Sequence, residues 1–217
     1  MFEEGKISER AKWGLFDLIS NVLFFEVEGS NGLQFYPRYG IDSLRSFQDL
    51  DDYTKNKIRE LYVDYFYRRQ DAHWYQSGME KLPALKRATN MLICGEDLGM
   101  VPDSVPDVMN ALEILSLEIQ RMPKKPNAEF AMPSEAPYRS VCTTSTHDMN
   151  PIRAWWEEDP TLTQRFYNRA LGFQGPAPEK CEQWIAEKII EQHLASEAMW
   201  IILPWQDWMA LETKLCL

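Results

Sequence analysis

The chain has 217 residues and a formal charge of −10, from 23 basic and 33 acidic side chains, a length that fits one large domain or one domain with a small appendage and is too short for two full enzyme domains. Hydrophobic residues make up 45%, aromatic residues 12% and charged residues 26%, which allows a sizeable core and excludes disordered and collagen-like chains. The acidic balance repels phosphate backbones and anionic lipid headgroups, and no cluster of Lys and Arg reverses it locally, so no nucleic acid and no membrane is expected as a partner.

Residues 1–10 mix charges of both signs without an apolar h-region, and the longest apolar stretches, residues 22–25 and 200–203, fall far below the roughly 18–20 residues that cross a bilayer. The expected location is the cytoplasm. From Ser8, a plausible cap, a helix is predicted to about residue 20, with Leu15, Leu18, Ile19 and Val22 at helical spacing. Residues 22–27 read as a short strand before the turn-like Gly29-Ser30-Asn31-Gly32, and residues 33–50 as loop. A long helix then begins near Asp51, with Ile58, Leu61, Tyr62, Tyr65 and Phe66 as its apolar stripe, reaching as far as Trp74.

Beyond residue 91 the pattern changes to short apolar runs ending in polar residues, each followed by a loop, the rhythm of βα units in a parallel sheet. Four runs fit: residues 91–94, 114–119, 140–146 and 198–203, with helices near 104–112, 151–158, 161–171 and 179–195. The stretch 122–138 is a Pro-rich loop. No G-x-G-x-x-G and no G-x-x-x-x-G-K-[ST] follows any run, so a barrel or barrel segment is favoured over a nucleotide-binding sheet. Residues 1–90 read as a helical and loop insertion, and residues 91–217 as the βα units.

Acidic pairs follow two of the runs, Glu96-Asp97 and His147-Asp148. In a βα barrel both lie on the face that builds the active site, two strands apart across the mouth. Glycosyl transfer needs such equipment: a carboxylic acid for the leaving oxygen, a carboxylate for the oxocarbenium-like centre, and donors for ring hydroxyls. Glu96 and Asp148 fit the first two roles and His147 the third; capping and surface ion pairs are the competing roles for such residues. Arg121, after a strand, fits either a cleft carboxylate or hydroxyl contact or a structural salt bridge. One ring of Trp155 and Trp156 belongs in the core, and the other is available to stack on a sugar. The cysteines Cys94, Cys142, Cys181 and Cys216 form no C-x-x-C pair and read as reduced, mostly buried thiols, with Cys94 packing in its strand. His193 reads as a helix surface residue.

The run Leu92-Ile93-Cys94-Gly95-Glu96-Asp97-Leu98-Gly99 resembles the [AG]-E-D-L-G signature of the amylomaltases, the 4-α-glucanotransferases or disproportionating enzymes, and Thr146-His147-Asp148 resembles their T-H-D signature. Phe35-Tyr36-Pro37-Arg38, Ile119-Gln120-Arg121-Met122-Pro123 and Arg153-Ala154-Trp155-Trp156 look most like the plant-cytosolic and Bacteroidetes-type branch. The resemblance implies an α/β fold, the C-terminal portion of a (β/α)8 TIM barrel, with about four parallel strands and surrounding helices. It implies a retaining transferase acting on α-1,4-glucans or maltooligosaccharides without metal or organic cofactor. Glu96 would be the general acid/base, Asp148 the carboxylate that steadies the transition state, and His147 a substrate-binding neighbour.

The family's nucleophile is an Asp in an R-x-D-H motif after an earlier strand, and the only R-x-D near a His, Arg69-Gln70-Asp71-Ala72-His73, falls inside the predicted long helix. The expectation is therefore the later part of a longer enzyme, inactive alone and prone to self-association through open sheet edges. The alternatives are a non-catalytic maltooligosaccharide-binding domain and, with charge as its sole support, an interaction module on the acidic helix 51–80.

Overall fold

A computed structural model describes residues 8–99, 101–125 and 127–212, and the chain divides into two compact units, Met1–His73 and Trp74–Leu217. In the first, helix α1, Glu9–Ser20, starts where Ser8 Oγ accepts a hydrogen bond from the Ala11 amide at 3.3 Å, relieving one of the orphan donors of a helix start. Strand β1, Phe24–Glu26, pairs antiparallel with β2, Phe35–Pro37, and Phe25 lies opposite Tyr36. The turn between them uses left-handed backbone at Gly29 and Gly32, φ +77° and +78°, and Glu26 Oε1 accepts from the Gly32 amide at 2.6 Å. The reading of residues 33–50 as loop is thus corrected at both ends: the turn returns Phe35-Tyr36-Pro37 along β1, and a short helix, α2, occupies Arg45–Gln48. Pro37 closes its strand, where a missing donor is tolerated.

Helix α3, Asp52–Asp64, is capped by Asp51, whose carboxylate accepts from the Thr54 amide at 3.0 Å and the Thr54 hydroxyl at 2.6 Å. Those bonds hold the Asp51 carboxyl below its ordinary value. Ile58 and Tyr62 pack on the buried Ile41, Leu44 and Phe47, whereas Leu61, assigned to the same stripe, is 42% exposed. The long helix continues through a π-helical turn, Tyr65–Arg69, into α4, Gln70–Arg87. Asp71 and His73 are helix residues, as expected, and His73 is exposed.

The second unit holds the chemistry-bearing segments. After α5, Val105–Leu112, the chain forms β3, Ser116–Ile119, and β4, Ser140–Thr143. Helices α6, Ile152–Glu158, α7, Pro160–Arg169, and α8, Gln183–Leu194, precede β5, Trp200–Ile201, and α9, Trp205–Met209. The three strands form one parallel sheet in chain order, β3-β4-β5. The expected first strand shrinks to a single parallel bridge, Cys94 with Leu115. Met91 and Leu92 before it are 75% and 52% exposed, so little apolar burial holds a longer ladder there. Among the described residues, the connection between β3 and β4 contains one helical turn, the 3-10 turn Pro133–Glu135, in keeping with its proline content.

Parallel partners share a face of the sheet and alternate along each strand. Gly95 lies on the α5 side: a Cβ there would meet Met109 Cε at 3.1 Å. Cys94 therefore belongs to the opposite face. The main core lies among α6, α7 and α8, where Ile152, Trp156, Phe166, Ile185 and Ile189 are buried together. Phe130 and Trp155 set their rings edge-on to Phe166, with centroids at 5.0 and 4.9 Å, an arrangement the ring quadrupole favours. Trp156 is the ring that belongs to the core, and its indole donates to the Pro178 carbonyl at 2.9 Å.

Phe166 is fully enclosed, so Phe166→Ala leaves a cavity and is expected to lower unfolding stability by roughly 3–5 kcal/mol. Urea unfolding of the two chains measures it; a loss below about 1 kcal/mol would contradict the central place given to this ring.

Candidate active site

Glu96 follows the Cys94 bridge by two residues and is exposed. Its neighbour Asp97 is buried and structural: Oδ1 accepts from the Leu117 amide of β3 at 2.9 Å, and Oδ2 from Lys124 Nζ at 2.7 Å. Lys124 also reaches Glu118 Oε1 at 2.7 Å. The acidic pair thus divides its work. Asp97 ties the post-strand segment to the sheet and to the β3 loop, and leaves Glu96 open to solvent.

His147 and Asp148 follow β4 on the same sheet edge. Their side chains are 87% and 80% exposed, with His147 Nε2 3.2 Å from Asp148 Oδ2. Glu96 leaves the Cys94 bridge, which pairs with Leu115 just before β3, and Asp148 lies beyond the carboxyl end of β4, so the two leave one parallel sheet on either side of β3.

Arg121, just past β3, holds backbone carbonyls and has no ion pair among the described residues, in place of the expected salt bridge. Its Nε and Nη2 donate to the Thr144 carbonyl at 3.1 and 2.7 Å, and Nη2 also to the Asn150 carbonyl at 2.9 Å. The guanidinium carbon lies 4.8 Å from the centre of the Trp155 ring, so Trp155 packs its face on Arg121 and meets Phe166 edge-on. Burial lowers the Arg121 pKa to about 10, against the opposing pull of Asp207 and Glu158. It stays charged at neutral pH.

Asp207, in α9, had no role in the sequence reading. It is fully buried: Oδ2 accepts from Thr144 Oγ1 at 2.5 Å and Ser145 Oγ at 3.5 Å, and Oδ1 from the Ile152 amide at 2.7 Å. The signal that picked out the other acids, a carboxylate shortly after a strand, was present in Pro204-Trp205-Gln206-Asp207 too.

His193 is a correction. It is fully buried, not at the helix surface, because α8 turns that side toward the unit's interior along with Ile185, Ile189 and Ile190. Its Nδ1 lies 2.7 Å from the Ile189 carbonyl, which can only accept, so the proton sits on Nδ1. Nε2 has no hydrogen-bond partner among the described residues. Cys94 is likewise exposed instead of packed. Cys142 and Cys181 are buried, and burial pushes their thiols up to about 11 and about 12, which removes them as nucleophiles near neutrality. Cys216 lies outside the described residues. Among the described residues, no group of three or more His, Cys, Asp or Glu is placed to hold a metal ion.

Helices joined to a parallel three-stranded sheet define a mixed α/β protein. The family model that matches is that of the 4-alpha-glucanotransferases, over residues 27–215, and the chain belongs to this family. It is 41% identical over 216 residues to the 4-alpha-glucanotransferase DPE2 of Oryza sativa subsp. japonica, a match that covers 95% of this chain and 23% of that protein. With the 4-alpha-glucanotransferase of Chlamydia caviae it shares 34% identity over 91 residues, 41% of this chain and 17% of the other. The solved amylomaltase from Streptococcus agalactiae in complex with acarbose aligns with a TM-score of 0.48 at 17% identity, over 61% of this chain and 26% of that one. The chain spans less than a quarter of the length of these two curated relatives.

Burial depresses the His193 imidazole below its ordinary 6.5. An unfolded chain takes up a proton there that the folded chain refuses, so this contribution to stability is complete above about pH 6.5 and declines as the pH falls toward the folded-state value. Thermal melts are expected to show a midpoint that drops from about pH 7 to about pH 5, and drops less in His193→Gln. An identical pH dependence in the two chains would remove His193 from this role.

Proposed function

We propose that this chain supplies two of the catalytic carboxylates of a retaining 4-α-glucanotransferase built on a (β/α)8 barrel, acting on α-1,4-glucans or maltooligosaccharides. The observation that carries the reading is that Glu96 follows the Cys94 bridge and Asp148 follows β4, on either side of β3 in one parallel sheet, and both are open to solvent. Strands that pair in chain order also support a barrel, because right-handed crossovers then put every connecting helix on the same face, as closure requires.

In this mechanism the Glu96 carboxylic acid gives its proton to the glycosidic oxygen as the bond to the anomeric carbon breaks. The nucleophile, an aspartate outside these 217 residues, takes that carbon as an ester. The Glu96 carboxylate then accepts the proton of an acceptor sugar hydroxyl, whose oxygen displaces the ester, and the acid is regenerated. Asp148 stands against the positive charge that develops at the ring and accepts from ring hydroxyls. His147, 3.2 Å away, orients it. The reading is also supported by the family membership and by the 4-alpha-glucanotransferase names of the relatives.

The chain alone is expected to disproportionate maltotriose at a negligible rate, since removing one member of a cooperating catalytic set typically costs about 10⁴-fold or more. Joined to a segment that carries the aspartate, it gains activity that Glu96→Gln abolishes. Product ladders from the chain alone, or full activity in Glu96→Gln, would defeat the reading.

Self-association of the isolated chain is part of the proposal. Among the described residues β5 pairs on one side only, and Trp200 in it and Ile202 beside it are 53% and 57% exposed, the kind of strand edge that templates pairing. Sedimentation velocity is expected to give species larger than 25.4 kDa; a monomer over the whole accessible concentration range would contradict this.

A further inference from the structure

We infer that Arg121 and Asp207 are positioning residues that staple the two ends of the segment carrying His147 and Asp148, and so fix where that segment stands on the sheet edge. The inference deepens the proposed function and rests on it for the role given to Asp148.

The segment has little of its own to hold it. Its crest is exposed, and the local bonds there are weak or short-range: the Asp148 amide donates to Thr146 Oγ1 at 3.4 Å and the Met149 amide to the Thr146 carbonyl at 3.1 Å. Order has to come from the base, and both charged groups work there. Each spans the loop. Arg121 takes the Thr144 carbonyl on the incoming side and the Asn150 carbonyl on the outgoing side. Asp207 takes the Thr144 and Ser145 hydroxyls on the incoming side and the Ile152 amide on the outgoing side.

Opposite charges at the same two ends reinforce one another. Arg121 satisfies carbonyls and Asp207 satisfies donors, so neither can replace the other. The planar fork of Arg121, with Trp155 against its face, reaches two carbonyls at once, which a lysine ammonium on a flexible stem does not reproduce. Asp207 needs both oxygens as acceptors; an asparagine offers one oxygen and one NH₂, and the latter would face a donor on one side or the other. The staple also links three successive strand ends, because Arg121 follows β3, the segment follows β4 and Asp207 follows β5.

Hydrogen exchange on the 217-residue chain, read by mass spectrometry, tests this in Arg121→Lys, Asp207→Asn and the milder Thr144→Val, which removes one donor and guards against loss of folding in the others. Amides of residues 145–150 are expected to exchange at least about tenfold faster in each variant, with those of α7 and α8 unchanged. Acceleration spread through the helices, or none in the segment, overturns the inference. Maltoheptaose titration of the same chains separates this from the proposed function. A parent chain that binds the sugar and loses affinity in all three variants supports both. Localised loosening with sugar affinity unchanged from the parent keeps the staple and contradicts the role given to Asp148.

Discussion

Parallel pairing in chain order is the constraint on which the site depends. A strand that runs parallel to its predecessor must be reached by a crossover, so the segments leaving the strands all start from the same edge. Here that edge collects Arg121 after β3, His147 and Asp148 after β4, and Asp207 after β5, while Glu96 follows the Cys94 bridge beside β3. An antiparallel β3–β4 pair would have sent Arg121 and Asp148 to opposite ends of the sheet. The sheet is small, and its geometry is spent on gathering polar residues.

The gathering has an energetic cost. Arg121 and Asp207 give up water, and the lowered pKa of Arg121 records that loss. The cost is offset by bonds to groups that would otherwise be buried without partners: the Thr144 carbonyl, the Thr144 and Ser145 hydroxyls and the Ile152 amide. Glu96 and Asp148 stay in solvent, open to an incoming substrate. Asp97 follows the same division, buried against Lys124 and the Leu117 amide beside an exposed catalytic candidate.

Much of the second unit was legible in sequence because its signals are local. The run at 140–146 and the helical spacing at 161–171 and 179–195 each report a nearest-neighbour preference, and each became an element within a few residues of those bounds, Ser140–Thr143, Pro160–Arg169 and Gln183–Leu194. The failures were non-local. Phe35-Tyr36-Pro37 is a strand only because the turn at Gly29 and Gly32 delivers it to β1, and His193 is buried only because of how α8 is turned within its unit. Residues 91–94 look like a strand, yet they reach a single bridge. The two acids proposed for catalysis were picked out by their position after apolar runs together with their surrounding motifs, whereas Asp207 follows such a run without a motif, and its partners, Thr144 and Ile152, lie far away in sequence.

The central claim is that Glu96 and Asp148 serve one glycosidic bond. A crystal structure of the longer protein proposed to contain this chain, bound to a maltooligosaccharide, tests it most directly. The account predicts the Glu96 carboxyl at a glycosidic oxygen and the Asp148 carboxylate on hydroxyls of the adjoining glucosyl ring, in one cleft. Sugar bound away from both side chains, or contacting one while the other faces a separate surface, would contradict it.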